Sequence, residues 1–181
     1  EGELISEVKT TMRNSGYPVA FVISPDNIKL GVSFVKTEMG KVNTSLAFYN
    51  FGGVGQNAMD NLVSGYEYDE QIFPAITYLN ESDAIAVGDS QLLLLKGKQK
   101  PTLEKEIAYD RELQGVYPCE TGFALVFRAL DGEGQYVIKI YNNDGELELE
   151  HKIDFEFTDI ILDEKRAVIY NETKVFVLGI N

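Results

Sequence analysis

Polar turns that lie between pairs of apolar runs recur along this chain of 181 residues. They begin near Ser24, Asn80, Glu120 and Glu164, at successive intervals of 56, 40 and 44 residues. The blades of a β-propeller recur about every 40–50 residues and hold four antiparallel strands each. One blade cannot bury its own apolar side chains, so neighbouring blades must pack on it. The spacing predicts an all-β, β-propeller-like fold of about four four-stranded antiparallel blades, of the WD40 or YVTN kind.

The predicted blades belong to one propeller-like unit that covers residues 1–181. Their approximate limits are 19–69, 72–110, 113–156 and 157–181. Each blade continues from its first two apolar runs into further strands. In the segment 147–155, apolar residues alternate with polar ones, which is typical of a half-buried strand. Helical signal is weak, and the one predicted helix covers at most two turns at 56–63.

The strand count is uneven at the two ends of the chain. The last blade stops after its third strand, and residues 3–11 are predicted to form an outer strand of a preceding or closing blade. This strand either closes a small ring of four blades, or the chain is an open arc that continues into further blades. Because unpaired sheet edges favour pairing with another chain, self-association through open blade edges is one expected interaction. The chain also opens at Glu1 without an initiator Met, as a piece of a longer protein would.

The first interval is long because of an insertion at about residues 52–68. Its glycine-rich start, 51–57, lacks the Lys-Ser/Thr pair of a phosphate-binding loop and the spacing of a dinucleotide fingerprint. A loop between strands is the simpler interpretation. Insertions that interrupt a repeat often carry binding surfaces. The predicted binding surface therefore consists of Gly52, Gly53, Gly55, Asn57, Tyr66 and Tyr68.

Charge and cysteine content limit the partners. The chain has 16 basic and 29 acidic residues and a formal net charge of −13, so it repels phosphate backbones and anionic lipid headgroups. Nucleic acid is therefore not an expected partner. No apolar run approaches the ~20 residues of a membrane helix, so no membrane segment is expected within this chain. Cys119, the single cysteine, excludes an intrachain disulfide, and no zinc-ligand spacing is present. We predict neither a metal nor a cofactor.

The residues that could act as nucleophile or base are few. His151 is the only histidine, and alternation places it on the apolar face of its strand with Leu149 and Ile153. This position predicts a packed side chain rather than a catalytic base. Cys119 lies near a turn without a basic neighbour in sequence, which predicts an inert thiol. No catalytic residue is predicted.

Carboxylates cluster in sequence at 154–164 and at 131–133. Paired carboxylates serve glycoside hydrolysis or bind calcium, but neither cluster has an EF-hand or comparable loop pattern. Asp154 and Glu156 share the polar face of one predicted strand, so a solvated face is the simpler interpretation.

Three stretches carry a family resemblance: 10–18 with 23–26, 47–57 with 60–66, and 97–101. Over nearly the whole chain they resemble a family of β-propeller-like proteins of unknown function from Firmicutes, mostly clostridia. Members of that family are longer, with a membrane anchor near the N-terminus and further blades before this segment. The resemblance implies that the chain is the C-terminal part of an extracytoplasmic propeller at the cell surface. It supplies no catalytic residues.

We therefore expect a non-enzymatic binding or scaffolding domain for a protein, peptide or glycan ligand. This expectation rests on fold analogy, because propellers bring the loops of several blades together. Two alternatives stay open. One is a glycan-acting propeller hydrolase, whose carboxylates would lie about 5–10 Å apart. The other is a purely structural segment of a larger propeller.

Overall fold

The computed structural model describes residues 2, 16–53, 61–132 and 134–180. In these residues the chain forms fifteen β-strands in four antiparallel sheets, which confirms the predicted all-β fold. The strands are β1 (Tyr17–Ile23), β2 (Lys29–Glu38), β3 (Lys41–Asn50), β4 (Leu62–Asp69), β5 (Ala75–Tyr78), β6 (Asp83–Val87), β7 (Gln91–Lys96), β8 (Thr102–Ala108), β9 (Leu113–Cys119), β10 (Gly122–Arg128), β11 (Tyr136–Asn142), β12 (Leu147–Ile153), β13 (Asp159–Leu162), β14 (Arg166–Tyr170) and β15 (Val175–Gly179).

The strands of each sheet follow one another in sequence order. Sheet 1 contains β1–β4, sheet 2 contains β5–β8, sheet 3 contains β9–β12, and sheet 4 contains the three strands β13–β15. The chain divides into two compact units, Glu1–Ile107 and Ala108–Asn181. Unit 1 holds sheets 1 and 2, apart from the last residue of β8, and unit 2 holds sheets 3 and 4.

Residues 62–69 correct the predicted extent of the insertion. They form β4, the outer strand of sheet 1, with Tyr66 opposite Leu46 and Tyr68 opposite Thr44 of β3. The insertion therefore lies between β3 and β4 rather than across 52–68. The helix predicted at 56–63 is wrong at Leu62 and Val63, which belong to β4, whereas Asn61 is helical. Residues 56–60 lie outside the described residues, as does the outer strand predicted at 3–11.

The core of unit 1 lies between sheets 1 and 2. Leu46 and Phe48 of β3 pack with Leu93 and Leu95 of β7, and Phe73 lies in the same cluster. The central strands are buried along their whole apolar length, whereas the outer strand β8 alternates between half-buried and exposed residues. This difference follows from position, because a central strand has neighbours on both sides and packs on both faces.

Unit 2 repeats this arrangement with sheets 3 and 4. Val126 and Ile138 of sheet 3 and Ala167, Ile169 and Leu178 of sheet 4 form one buried cluster. Each of these side chains comes from a short apolar run that the sequence placed in a strand. Two small sheets thus bury one face each against the other, which neither could do alone.

Polar side chains close the turns between the strands. Asn80, Asp163 and Asn171 each accept hydrogen bonds from the backbone N–H groups two and three residues later, at 2.8 to 3.0 Å. This side-chain mimic of a turn is typical of Asn and Asp. It confirms the polar turns predicted near Asn80 and Glu164. In the described part of the chain, no helix has the length and apolar character needed to cross a bilayer.

We expect Gly122→Ala to destabilise unit 2, because a Cβ at Gly122 would lie 2.1 Å from the carbonyl oxygen of Tyr141 on β11. Relieving that overlap requires a shift of paired backbone, at a cost of about 1–3 kcal/mol in the free energy of unfolding. The measurement is the urea midpoint of circular dichroism. Gly179→Ala is the matched control, because no atom lies within 4 Å of its Cβ position. Equal midpoints for the two variants would contradict this packing.

Candidate functional site

The predicted binding loop begins at Gly52, where a larger side chain would overlap Ile28. A Cβ at Gly52 would lie 2.9 Å from the Cδ1 of Ile28, and the Gly52 N–H donates to the side-chain oxygen of Asn50 at 2.9 Å. Gly52 and Gly53 are both exposed. Gly55 and Asn57 lie outside the described residues. The structure therefore places the first two predicted residues on the surface at the end of β3.

Tyr66 and Tyr68 are half-buried on the face of sheet 1 that packs on sheet 2. The Tyr66 ring meets the edge of Phe48 at 6.5 Å between centroids, and the Tyr68 ring lies 4.9 Å from Phe73. Burial, with smaller contributions from Glu106 and Tyr66, raises the pKa of Tyr68 to about 12. Both tyrosines contribute to the core of unit 1. The surface predicted from the insertion stays a prediction, and these two rings are not exposed side by side with Gly52.

Two of the stretches that carry the family resemblance meet at residues 97–101. Asn50 donates from its side-chain nitrogen to the carbonyl oxygen of Gln99 at 3.0 Å. The Tyr66 hydroxyl donates to the Pro101 carbonyl at 3.2 Å and accepts from the Leu103 N–H at 3.0 Å. These contacts fix the turn between β7 and β8 to sheet 1. The sequence pattern in these stretches therefore serves the packing of unit 1.

A charged side chain is fully buried in unit 1. Lys29, the first residue of β2, forms an ion pair with Asp26, which also accepts from the hydroxyl of Ser24. The ammonium lies 6.0 Å from the centroid of the Tyr78 ring, close enough for a cation–π contact. The Tyr78 hydroxyl is buried and has no hydrogen-bond partner among the described residues. Burial, with the Asp26 carboxylate, raises the pKa of Tyr78 above its ordinary value.

The pKa of Asp26 reflects the same cluster. Burial alone would raise it, but the hydrogen bonds from Lys29, Ser24 and the Ile28 N–H, together with the Lys29 charge, hold it below its ordinary value of 3.8. The carboxylate is thus kept ionised and paired with a buried ammonium. The arrangement neutralises Lys29 and ties the first turn of sheet 1 to sheet 2 through Tyr78.

His151 and Cys119 lie where the sequence placed them. His151 is half-buried and stacks on Phe176 of β15, at 5.4 Å between ring centroids, which confirms the prediction of a packed histidine. Cys119 ends β9, and its sulfur lies 3.6 Å from the Thr121 hydroxyl oxygen. Among the residues that the structure describes, neither His151 nor Cys119 makes the nucleophile–base contact that covalent catalysis requires.

Three acidic residues of the predicted cluster at 154–164 engage local partners. Asp163 accepts from the N–H groups of the turn that it closes, and these bonds, led by that of Lys165, hold the pKa of Asp163 below its ordinary value. Glu156 accepts from the Tyr136 hydroxyl at 2.5 Å, and Asp154 lies 3.9 Å from the ammonium of Lys174. Within the described ranges, three or more His, Cys, Asp or Glu side chains are not grouped as a metal site would require.

The outer face of sheet 1, turned away from sheet 2, is apolar. We call it the leading face and define it by Phe21, Ile23, Leu30, Val32, Ala47 and Tyr49, which are cross-strand neighbours in β1, β2 and β3. Val32 and Tyr49 are buried, but Phe21 and Ile23 are 76% and 61% exposed. Phe21 and Ile23 lie two residues apart on β1, so their exposed side chains are neighbours on one face, and contiguous exposed apolar surface is typical of interaction sites.

The outer face of sheet 4 has the same character. We call it the trailing face and define it by Ile161, Val168, Tyr170, Val175 and Val177, which are cross-strand neighbours in β13, β14 and β15. Ile161 and Val177 are 58% and 54% exposed. The alternate residues of the same strands, such as Ile160 and Leu178, pack on sheet 3.

Sequence reasoning did not identify either face. The alternation in β15 was visible, but apolar residues on both faces of a strand give no sign of which face stays uncovered. The exposure of a face depends on whether another sheet packs on it. The repeat pattern alone does not show which sheet has such a neighbour.

Comparison with known families matches all of residues 1–181 to the family described as "Family of unknown function (DUF5711)". The chain belongs to the DUF5711 family. No curated protein matches this DUF5711 chain.

Solved structures that resemble the DUF5711 chain are β-propellers. Sqt1 from Chaetomium thermophilum matches with a TM-score of 0.62 and 10% identity over 93% of this chain and 44% of its own. Sqt1 from Saccharomyces cerevisiae gives 0.56 and 12% over 87% and 42%. Hsv2 from Kluyveromyces marxianus gives 0.52 and 13% over 91% and 49%. The DUF5711 chain thus has a propeller-like fold and spans less than half the length of these structures.

We expect Asp26→Ala to destabilise unit 1 of this DUF5711 chain by about 3 kcal/mol, because it leaves the Lys29 ammonium buried without its partner. The double variant Asp26→Ala/Lys29→Met should recover most of that loss, since it removes both charges. The measurement is the urea midpoint at pH 7.

The pH dependence gives a second measurement of this pair. The folded-state pKa of Asp26 lies below 3.8. The contribution of its carboxylate to the free energy of unfolding is therefore complete above that value, and it is lost as the pH falls through the folded-state pKa. The double variant should therefore lose less stability than the natural protein below about pH 4. Glu81→Gln, which removes the partner of the exposed Lys98, is the control and should change little. Equal effects of Asp26→Ala and Glu81→Gln on the urea midpoint would show that the buried ion pair stabilises the protein no more than an exposed one.

Proposed function

We propose that this chain is a non-enzymatic binding and scaffolding module, and that it engages protein partners through the exposed apolar side chains of sheet 1 and sheet 4. The observation that carries the proposal is the exposure of Phe21 and Ile23 on the leading face, matched by Ile161 and Val177 on the trailing face. The proposal includes self-association through open sheet edges. Peptide and glycan ligands belong to the same general class, but these aliphatic and aromatic faces favour a protein surface.

The energetics support protein binding at these faces. Burying a Phe or Ile side chain stabilises a complex by about 1.5–3 kcal/mol. Four such residues therefore provide anchors of the kind that dominate protein interfaces. The net charge of −13 disfavours nucleic acid and anionic membrane surfaces as occupants of the same faces.

The hydrolase alternative has less support from the described residues. It requires two carboxylates that face one another across a substrate. Asp154, Glu156 and Asp163 instead engage an ammonium, a tyrosine hydroxyl and turn backbone.

An extracytoplasmic location with an anchor outside this chain is part of the proposal. It rests on the sequence resemblance to anchored clostridial propellers. Protease treatment of intact cells tests it, because a surface-exposed domain is cleaved without lysis.

We expect a photo-reactive residue at position 21 to capture a protein partner in cells that make the native protein. The experiment replaces Phe21 by p-benzoylphenylalanine, irradiates intact cells and identifies adducts by mass spectrometry. Position 39 is the matched control, because Met39 is also apolar and exposed but lies at the tip of the β2–β3 hairpin. A specific adduct at 21 and none at 39 supports the proposal. Absence of any adduct at 21 would show that the leading face is not a binding surface.

A further inference from the structure

Lysines are concentrated in the turn between β7 and β8. Lys96, Lys98 and Lys100 lie in one segment of five residues, and no other segment of that length in the sequence contains three basic residues. Residues 90–103 contain no aspartate or glutamate, although the whole chain has a formal net charge of −13. We call residues 96–100 the lysine turn. It is a local concentration of positive charge on a strongly acidic protein.

Hydrogen bonds and close packing fix the backbone of the lysine turn. The Gly97 N–H donates to the Ser82 carbonyl at 2.8 Å, and the side-chain nitrogen of Asn50 donates to the Gln99 carbonyl at 3.0 Å. Gly97 has a φ of 138°, and a Cβ there would lie 2.2 Å from the carbonyl oxygen of Lys100, so this close turn requires glycine. The lysine side chains therefore extend from a preorganised backbone, which lowers the entropic cost of binding.

The lysine turn already holds one carboxylate. The Lys98 ammonium lies 3.0 Å from a carboxylate oxygen of Glu81, and both side chains are more than half exposed. The hydrogen bond with Glu81, followed by the charge of Glu81, raises the pKa of Lys98 above its ordinary value. An exposed ion pair of this kind stabilises a protein very little. A carboxylate from another molecule can therefore replace that of Glu81.

The lysine turn also carries positive charge that is not neutralised. Lys100 is exposed, and its ammonium makes no ion pair or hydrogen bond within the part of the chain that the structure describes. Carboxylates in the adjoining turns have partners of their own, since Asp26 is paired with Lys29, and Asp83 accepts from the side-chain nitrogen of Asn80 at 2.9 Å. A second carboxylate can therefore bind beside the first.

We propose that the lysine turn docks a short acidic segment of a protein partner, whose Asp or Glu carboxylates replace Glu81 on Lys98 and engage Lys100. Charge complementarity favours this occupant. This surface is separate from the exposed apolar side chains of sheets 1 and 4. The inference therefore goes beyond the proposed function and does not depend on those side chains.

The acidity of the rest of the chain favours a short segment over an extended polyanion. A nucleic acid or an anionic lipid surface would also meet the surrounding negative charge of the chain, and would be repelled by it. At physiological ionic strength charges are screened beyond about 8 Å. A few carboxylates on a partner's loop can therefore meet the lysine turn without meeting most of that negative charge.

The test is a titration of the purified 181-residue chain with a hexaglutamate peptide, followed by backbone amide shifts in NMR spectra. We expect the amides of residues 97–100 and of Glu81 to shift along a saturable curve at about 0.01 M ionic strength. The shifts should be lost at about 1 M, where the Debye length is only about 3 Å. A hexaglutamine peptide is the neutral control and should leave the same amides unchanged.

Three variants locate the binding. Lys98→Gln and Lys100→Gln should each weaken hexaglutamate binding by about two- to fivefold, the effect of losing one exposed ion pair. Glu81→Gln removes the competing carboxylate and should strengthen binding by about the same factor. Lys41→Gln is the matched control, because Lys41 is an exposed lysine that is paired with Glu70 outside the lysine turn, and it should bind the peptide like the natural chain.

Several results would overturn the inference. One is a hexaglutamate titration that shifts none of these amides, and another is an equal response to hexaglutamine. Unchanged binding in Lys98→Gln, Lys100→Gln and Glu81→Gln would place the peptide elsewhere and would also overturn it. If a thymidine oligonucleotide shifts the same amides and hexaglutamate does not, the occupant is a nucleic acid and the acidic protein segment is wrong.

The two proposals fail in distinguishable ways. Capture of a partner at position 21 without hexaglutamate binding overturns the docking at the lysine turn and leaves the proposed function standing. Hexaglutamate binding without any capture at position 21 supports the docking at the lysine turn, while the proposed function is then wrong.

Discussion

Covering the apolar faces of its sheets is the constraint on which the described fold of this chain depends. A sheet of three or four short strands whose central strands are apolar throughout, as in β7 with Leu92 to Leu95 fully buried, has no solvent side. Packing against one neighbour satisfies only half of that requirement. Within each unit one pair of faces is satisfied by the partner sheet. The same requirement then applies to the outer faces of sheets 1 and 4, and this shared physical cause links the fold to the proposed function.

Polar residues are arranged so that they do not interrupt this packing. Asn and Asp side chains close the turns at the ends of the strands, where their oxygens satisfy backbone N–H groups that would otherwise lack partners. Lys29 is the exception, because its ammonium lies in the interior of unit 1. It is tolerated since Asp26 neutralises it and the Tyr78 ring lies beside it. Buried charge is stable only with such partners, so this cluster constrains how sheets 1 and 2 pack.

Much of the fold could be predicted from the sequence, because central strands leave a strong pattern. Runs such as 92–95 and 123–127 are apolar on both faces and are bounded by turn residues. The outer strand β4 could not, because Gly65, Glu67 and Asp69 weaken its strand signal and the pairing with β3 decides its structure. The burial of Lys29 depends on Tyr78, nearly fifty residues away, and no local pattern reveals it. The exposed faces could not be predicted for a different reason, since exposure depends on whether another sheet packs on that face.

The direction of the packing explains why the two exposed faces differ. In both units the earlier sheet presents one kind of face and the later sheet presents the other, so the packing has a polarity along the chain. The exposed residues of sheets 1 and 4 therefore lie on faces of different kinds. Sheet 1 exposes part of the kind of face that sheet 2 buries, and sheet 4 exposes the kind of face that sheet 3 buries.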